Sequence, residues 1–181
     1  MPPDEGTLER GVRIYLARHS DAVQVGERGV TSDAERMLTA GGREKAVRLG
    51  RALARIGCDP GVVYTSPLVR ARETAELAAA RLPKAGRLST CDALLPGADP
   101  ADLCRLPGSG DGRDILCVGH MPHVSAAVSF LLTGDPDWDV VFKKAAACCL
   151  SFAGGPGPGY ARLEWLIQPG QFRRLLSTRD A

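Results

Sequence analysis

The sequence predicts an α/β fold, in which a mostly parallel central sheet is flanked by helices in three layers. Short apolar runs rich in β-branched residues alternate along the chain with amphipathic segments of helical period. The chain has 181 residues, of which 44% are hydrophobic and 24% charged, as is typical of one soluble globular domain. We therefore expect a single domain over residues 1–181, without large lid insertions.

The first half of the chain predicts two strand–helix units. Gly57 is suited to the C-terminal cap of the first helix. Ser66 and Pro67 are favoured at the N-cap and the first helical position, so they start the second helix, and Pro83 ends it. The predicted elements are a strand at 12–17 (VRIYLA), a helix at 39–57, a strand at 61–66 (GVVYTS) and a helix from Ser66 to about Leu82.

The second half predicts a small irregular segment, a third strand–helix unit and a terminal hairpin. The hairpin is indicated by two apolar runs that flank the turn residues GGPGPG. The predicted elements are a short strand at 88–90, a short helix at 100–106, a turn at 107–112 (PGSGDG), a strand at 114–119 (DILCVG), a helix at 121–134, strands at 144–152 and 160–167, and a short helix after Pro169.

Charge, hydropathy and cysteine content argue against several classes of partner and location. A formal net charge of +2 is too small to indicate a nucleic-acid or membrane partner. The longest apolar stretch, Ala145–Ala153, is far shorter than the roughly 20 residues of a membrane span, and the N-terminus lacks the apolar segment of a secretory signal. Six cysteines without a C-x-x-C pair indicate reduced thiols in a cytoplasmic protein.

Histidines and arginines follow three of the predicted strands. Arg18 and His19 follow the first strand, Arg70 follows the second, and His120 follows the strand at 114–119. A single histidine or arginine in such a place is more often structural. However, ligands of α/β sheets bind at the carboxyl ends of the strands, and two of the three histidines fall there. Arginine forks suit an oxyanion and neutral imidazole is a good nucleophile, so the pattern favours a phosphoryl site.

Three ordered motifs carry a family resemblance. The segments LARHSDA (16–22), TSPLVRARETA (65–75) and VGHMPHV (118–124) resemble the histidine phosphatase, or phosphoglycerate mutase-like, superfamily. The short chain and the closing WLIQP (165–169) look most like its small SixA-type phosphohistidine phosphatases. The resemblance implies that His19 is the phosphorylated nucleophile. It also implies that Arg18 and Arg70 bind the phosphoryl oxygens, that His120 donates a hydrogen bond to them, and that neither metal nor organic cofactor is needed.

The chain departs from the family pattern at two places. Ser20 stands where the family commonly has glycine, and its hydroxyl is a candidate to hydrogen-bond the phosphate. The glutamate that serves larger members as general acid has no counterpart, since Ala93 takes its place. Asp21 and Asp92 are the candidate proton donors, although each is equally typical of a capping or solvated loop carboxylate. Imidazole leaves phosphorus more readily than an alkoxide does, so a small phosphohistidine phosphatase needs an acid less.

The resemblance also bears on the substrate. Residues 83–113 contain few aromatic or basic side chains that could clasp a small metabolite. An open pocket suits a phosphoryl group on a protein, so we expect phosphohistidine on a phosphotransfer protein as the substrate. The alternatives are a phosphatase of sugar phosphates or nucleotides and a non-catalytic phosphate-binding module.

His123 follows His120 at a spacing that imitates a metal-ligand pair, but no further ligands accompany it, and we expect no metal.

Overall fold

A six-stranded mixed sheet forms the centre of the molecule. The computed structural model describes residues 11–106 and 113–177, so the turn predicted at 107–112 lies outside the described residues. The strand order is β3-β2-β4-β1-β5-β6. The strands are β1 (Val12–Arg18), β2 (Val62–Thr65), β3 (Arg87–Thr90), β4 (Ile115–Gly119), β5 (Ala147–Phe152) and β6 (Arg162–Ile167).

Pairing directions confirm the predicted, mostly parallel α/β architecture. Strands β3, β2, β4 and β1 pair in parallel, whereas β5 pairs antiparallel with β1 and β6 pairs antiparallel with β5. The last two strands therefore form the predicted hairpin. Strands β1, β2 and β4 end at the same edge of the sheet because their registers align Arg18 with Gly119 and Thr65 with Val118.

Four α-helices cover the two faces of this sheet in the described part of the chain. The helices are α1 (Ala40–Arg55), α2 (Val69–Ala79), α3 (His123–Thr133) and α4 (Pro169–Ser177). Alternate residues of β1 divide between the faces: Ile14 and Leu16 belong to the core that includes α3, while Tyr15 and Ala17 belong to the core that includes α1, α2 and α4. This division produces the predicted three layers, and the buried side chains of each face form a separate core.

The start predicted for the second helix is wrong by two residues. Helix α2 begins at Val69, with Leu68 as its N-cap, instead of at Ser66 and Pro67. The Ser66 amide still donates to the carbonyl oxygen of Val118 (3.0 Å), and the Ser66 hydroxyl oxygen accepts from the Leu68 amide (3.4 Å). Ser66 therefore closes a turn after β2, and this turn places Arg70 in the first turn of α2.

The prediction for the fifth strand also begins three residues too early. Residues 143–146 form a turn, in which the amide of Ala146 donates to the carbonyl oxygen of Lys143 (2.8 Å), and β5 starts at Ala147. Ala145 adopts a positive φ of 65° in this turn. Its amide lies 3.2 Å from the carbonyl oxygens of both Arg18 and His19. The turn thus supports the backbone at the end of β1.

The six cysteines all lie within the described residues and are free thiols, as predicted. Adjacent Cys148 and Cys149 belong to the cores on opposite faces of the sheet. None of the helices within residues 11–106 and 113–177 has the length and apolar character that crossing a bilayer requires.

Candidate active site

The structure brings the side chains that follow β1 and β4 into contact. The His19 amide donates to the carbonyl oxygen of Gly119 (2.9 Å), which ties the end of β1 to the end of β4. The His19 and His120 rings lie with their centroids 4.9 Å apart, inclined by 51°. Arg70 is close enough for its charge to act on both rings. The edge of the sheet therefore gathers the two histidines and Arg70, as the strand order predicted.

A short hydrogen bond fixes the tautomer of His19. The Nδ1 atom lies 2.6 Å from the carbonyl oxygen of Ser20. A carbonyl oxygen only accepts, so Nδ1 must carry the proton and donate it. The Nε2 atom of the neutral ring then has a free lone pair, and Nε2 is the nitrogen that can attack an electrophile.

Burial keeps both histidines neutral at physiological pH. Burial, with smaller contributions from the charges of Arg70 and Arg18, lowers the pKa of His19 from 6.5 to about 4, although the hydrogen bond with Ser20 opposes this shift. Burial also dominates at His120, whose pKa falls to about 3 with further contributions from His19 and Arg70. A neutral imidazole is the nucleophilic form, so His19 is available for attack at pH 7.

Buried nitrogen atoms without hydrogen-bond partners occur on the side chains whose rings or charges act on His19. The Nε atoms of Arg18 and Arg70 and both ring nitrogens of His120 are buried, and no hydrogen-bond partner reaches them from the described residues. Buried polar atoms in proteins are normally paired, so a group of unpaired ones marks a place for a ligand. Each guanidinium Nε and the protonated nitrogen of the neutral His120 ring can donate, so the missing ligand is an acceptor such as a tetrahedral oxyanion.

Ser20 does not face this ligand site with its side chain. The fully buried Ser20 hydroxyl donates to the carbonyl oxygen of Gly42 in α1 (2.7 Å), and so the contact with phosphate predicted for Ser20 is not made by this arrangement. Gly42 is required at that contact, because a Cβ atom there would lie 2.0 Å from the carbonyl oxygen of Asp21. The hydroxyl therefore fixes the loop after β1 to α1.

Thr74 links the loop after β1 to Arg70, a role for which its place in the second motif is the only signal in the sequence. The Ser20 amide donates to Thr74 Oγ1 (3.0 Å), and the Thr74 hydroxyl donates to the carbonyl oxygen of Arg70 (2.7 Å). All three residues are buried. Thr74 thereby sets the spacing between the backbone beside His19 and the first turn of α2.

The two candidate proton donors lie in settings that do not favour that role. Asp21 forms ion pairs with Lys45 (2.5 Å) and Lys144 (3.4 Å). Partial burial raises the pKa of Asp21, but the hydrogen bonds and charges of these lysines outweigh burial and hold the pKa below its usual value. Asp92 is exposed at the start of the 3₁₀ helix Asp92–Leu94. An ionised carboxylate and a solvated one are both poor general acids at pH 7.

No group of three or more potential metal ligands (His, Cys, Asp or Glu) occurs within residues 11–106 and 113–177. His123, which the sequence pairs with His120, is buried in the first turn of α3. The functional groups that the described residues gather at the strand ends are imidazoles and guanidiniums.

Fold and site together define an α/β protein with a cluster of buried histidines and arginines at the strand ends. The chain matches the profile of the histidine phosphatase superfamily (branch 1) over residues 14–94. It is 31% identical over 139 residues to an uncharacterized protein of Picosynechococcus sp., a match that covers 74% of this chain and 81% of that protein. The chain belongs to the histidine phosphatase superfamily, and this membership supports phosphatase activity.

Two further similarities concern named phosphatases. The chain is 36% identical over 85 residues to the mitochondrial serine/threonine-protein phosphatase PGAM5 of Xenopus tropicalis, and the match covers 47% of this chain but only 29% of that protein. The fold matches the structure of the protein histidine phosphatase SixA complexed with tungstate, with a TM-score of 0.74 and 23% identity over 88% of this chain and 98% of the other.

Proposed function

We propose that the protein is a phosphohistidine phosphatase, which removes a phosphoryl group from a histidine on a partner protein through a covalent intermediate on His19. One observation carries the proposal. Nδ1 of the buried His19 donates to the Ser20 carbonyl oxygen, which leaves Nε2 free, and the His120 ring and the charges of Arg18 and Arg70, whose Nε atoms are buried and unpaired, act on the same ring. The resemblance in fold to SixA, solved with the tetrahedral oxyanion tungstate, supports the same reading.

In the first step, Nε2 of His19 attacks phosphorus and forms a new N–P bond. The N–P bond of the substrate breaks, and its imidazole departs as a neutral ring if the other ring nitrogen already carries a proton. Nδ1–H of His19 continues to donate to the Ser20 carbonyl oxygen, which stabilises the positive ring that results. Charge on the equatorial oxygens is stabilised by the N–H groups of Arg18, Arg70 and His120.

In the second step, water attacks phosphorus from the side opposite His19. The N–P bond to Nε2 breaks, the proton of the water passes to the phosphate product, and neutral His19 is restored. The same three donors stabilise this transition state because it places the same charge on the same oxygens. The low pKa of His19 favours the neutral ring as leaving group in this step.

The weakness of the acids in this site supports phosphohistidine over an alkyl phosphate. Lys45 and Lys144 keep Asp21 ionised, and Asp92 is exposed. General acid catalysis is worth roughly 10²–10⁴-fold, and an alkoxide leaving group needs it most. A substrate whose leaving group is imidazole therefore suits this site best.

We further propose that the reaction needs no metal or cofactor, that the partner is a phosphotransfer protein, and that the enzyme acts in the cytoplasm as one domain.

The test compares three substrates with the full chain in the presence of EDTA. The expected order of kcat/KM is a phosphohistidine protein first, p-nitrophenyl phosphate second and an alkyl phosphate last. A higher kcat/KM on a small phosphomonoester would favour the alternative small-molecule phosphatase. Oxyanion binding without turnover on any substrate would identify a non-catalytic phosphate-binding module.

A further inference from the structure

Both arginines of the site are held by the outer end of the guanidinium group. Arg18 donates from Nη1 to the carbonyl oxygen of Phe142 (2.7 Å). Arg70 donates from Nη1 to the carbonyl oxygen of Asp33 (2.7 Å) and from Nη2 to the Asp33 carboxylate (2.9 Å). A guanidinium carries five N–H donors in one rigid plane, and these contacts do not use the Nε–H at its inner edge. That edge, buried and unpaired in both arginines, is the one available to an oxyanion.

Asp33 is placed to hold the guanidinium group of Arg70 through two hydrogen bonds. It begins the 3₁₀ helix Asp33–Glu35, and its other carboxylate oxygen accepts from Arg36 Nη1 (2.9 Å). The Asp33 side chain is 59% exposed, whereas that of Arg70 is only 6% exposed. The segment that carries Asp33 is tied to α2, because the Leu38 amide donates to Glu73 Oε2 (2.7 Å). Asp33 therefore reaches inward from an anchored loop to the outer end of Arg70.

Electrostatics alone would argue against a carboxylate at this place. The hydrogen bond from Arg36 comes first among the contacts that lower the pKa of Asp33, and the hydrogen bond from Arg70 adds to it, while burial opposes them. Asp33 is thus ionised at neutral pH and cannot donate a proton. A negative charge beside a phosphate-binding arginine weakens the attraction of the pocket for anions. Its contribution must therefore be geometric.

We propose that Asp33 is a positioning residue for phosphoryl transfer, which orients Arg70 so that its Nε edge faces the phosphoryl group at His19. The proposal rests on the proposed function. Loss of the Asp33 carboxylate should therefore affect phosphate binding and catalysis differently. It raises the positive charge around Arg70, so inorganic phosphate binds at least as tightly. The transition state, which needs the aligned fork, is stabilised less.

The experiment measures kcat on p-nitrophenyl phosphate and the inhibition constant of inorganic phosphate for Asp33→Ala and Asp33→Asn. We expect kcat to fall about tenfold in Asp33→Ala, because a misoriented fork stabilises the transition state less. The inhibition constant should stay equal or decrease, because removal of the carboxylate raises the positive charge around bound phosphate. Asp33→Asn should lie between, because an amide oxygen still accepts from Arg70. Urea unfolding of each variant checks that the fold is retained.

Glu35→Gln is the matched control. Glu35 belongs to the same 3₁₀ helix and carries the same charge, but its carboxylate accepts from the amide and hydroxyl of Thr31. This variant should keep both constants within twofold of wild type. An unchanged kcat in Asp33→Ala, or a parallel loss of kcat and phosphate affinity, overturns the role of Asp33 alone. A wild-type protein without turnover overturns the proposed function and this role with it.

Discussion

Thr74→Val tests whether the hydroxyl between the loop after β1 and α2 supports catalysis. Valine preserves the shape of threonine but removes the acceptor of the buried Ser20 amide (3.0 Å) and the donor to the Arg70 carbonyl oxygen (2.7 Å). A buried amide without a partner costs about 1–3 kcal/mol. We expect the free energy of unfolding to fall by that amount, and kcat to fall about tenfold because His19 and Arg70 lose their fixed spacing.

The matched control for this variant is Thr74→Ser, which keeps the hydroxyl and removes one methyl group. Its loss of about 1 kcal/mol in stability is the ordinary cost of a buried methyl, and its kcat should stay within twofold of wild type. Urea unfolding and steady-state kinetics measure both quantities on the same samples. A Thr74→Val protein with wild-type kcat and stability would show that the Thr74 hydroxyl supports neither catalysis nor the fold.

Three further predictions concern acidity, the leaving group and metals. Because the pKa of His19 is about 4 in the folded protein and about 6.5 when unfolded, the unfolded state binds more protons between these values. Acidification from pH 7.5 to pH 5 should thus remove about 2 kcal/mol of stability through His19, and urea unfolding of His19→Asn should show a smaller loss. Asp21→Asn and Asp92→Asn should each lower kcat/KM on a phosphohistidine protein less than about tenfold; a hundredfold loss would reveal a dedicated acid. EDTA should leave activity unchanged, and recovery of lost activity on adding Mg²⁺ or Zn²⁺ would contradict the metal-free mechanism.

Local sequence signals were sufficient for the order of the elements. Thr39 caps α1 with its hydroxyl, and Gly57 and Gly134 adopt the positive φ values expected after α1 and α3. These local signals failed where a backbone contact with another strand determines where an element begins. The Ser66 amide donates to the carbonyl oxygen of Val118 in β4, so Ser66 and Pro67 do not start α2 although both are favoured at a helix N-terminus.

Some residues of the candidate site could also be predicted from local sequence signals, whereas others could not. His19 and His120 could be placed together because each directly follows a strand of the same parallel sheet, and the motifs assigned their roles. Asp33 could not be found, because it contacts Arg70 across 37 residues and only the folded loop creates that pair. Ser20 was expected to face phosphate, but the side chain turns to Gly42, a contact that no local pattern encodes.

The most direct test of the central claim is to trap the phosphoenzyme. The full chain would be mixed with a ³²P-labelled phosphohistidine protein, quenched within milliseconds and mapped by mass spectrometry. We expect a label that is acid-labile and base-stable, located on His19 and absent from His19→Ala. That folded variant should retain less than about 1% of wild-type turnover, as expected when the nucleophile itself is removed. A label on another residue, or substantial turnover by His19→Ala, would contradict this expectation.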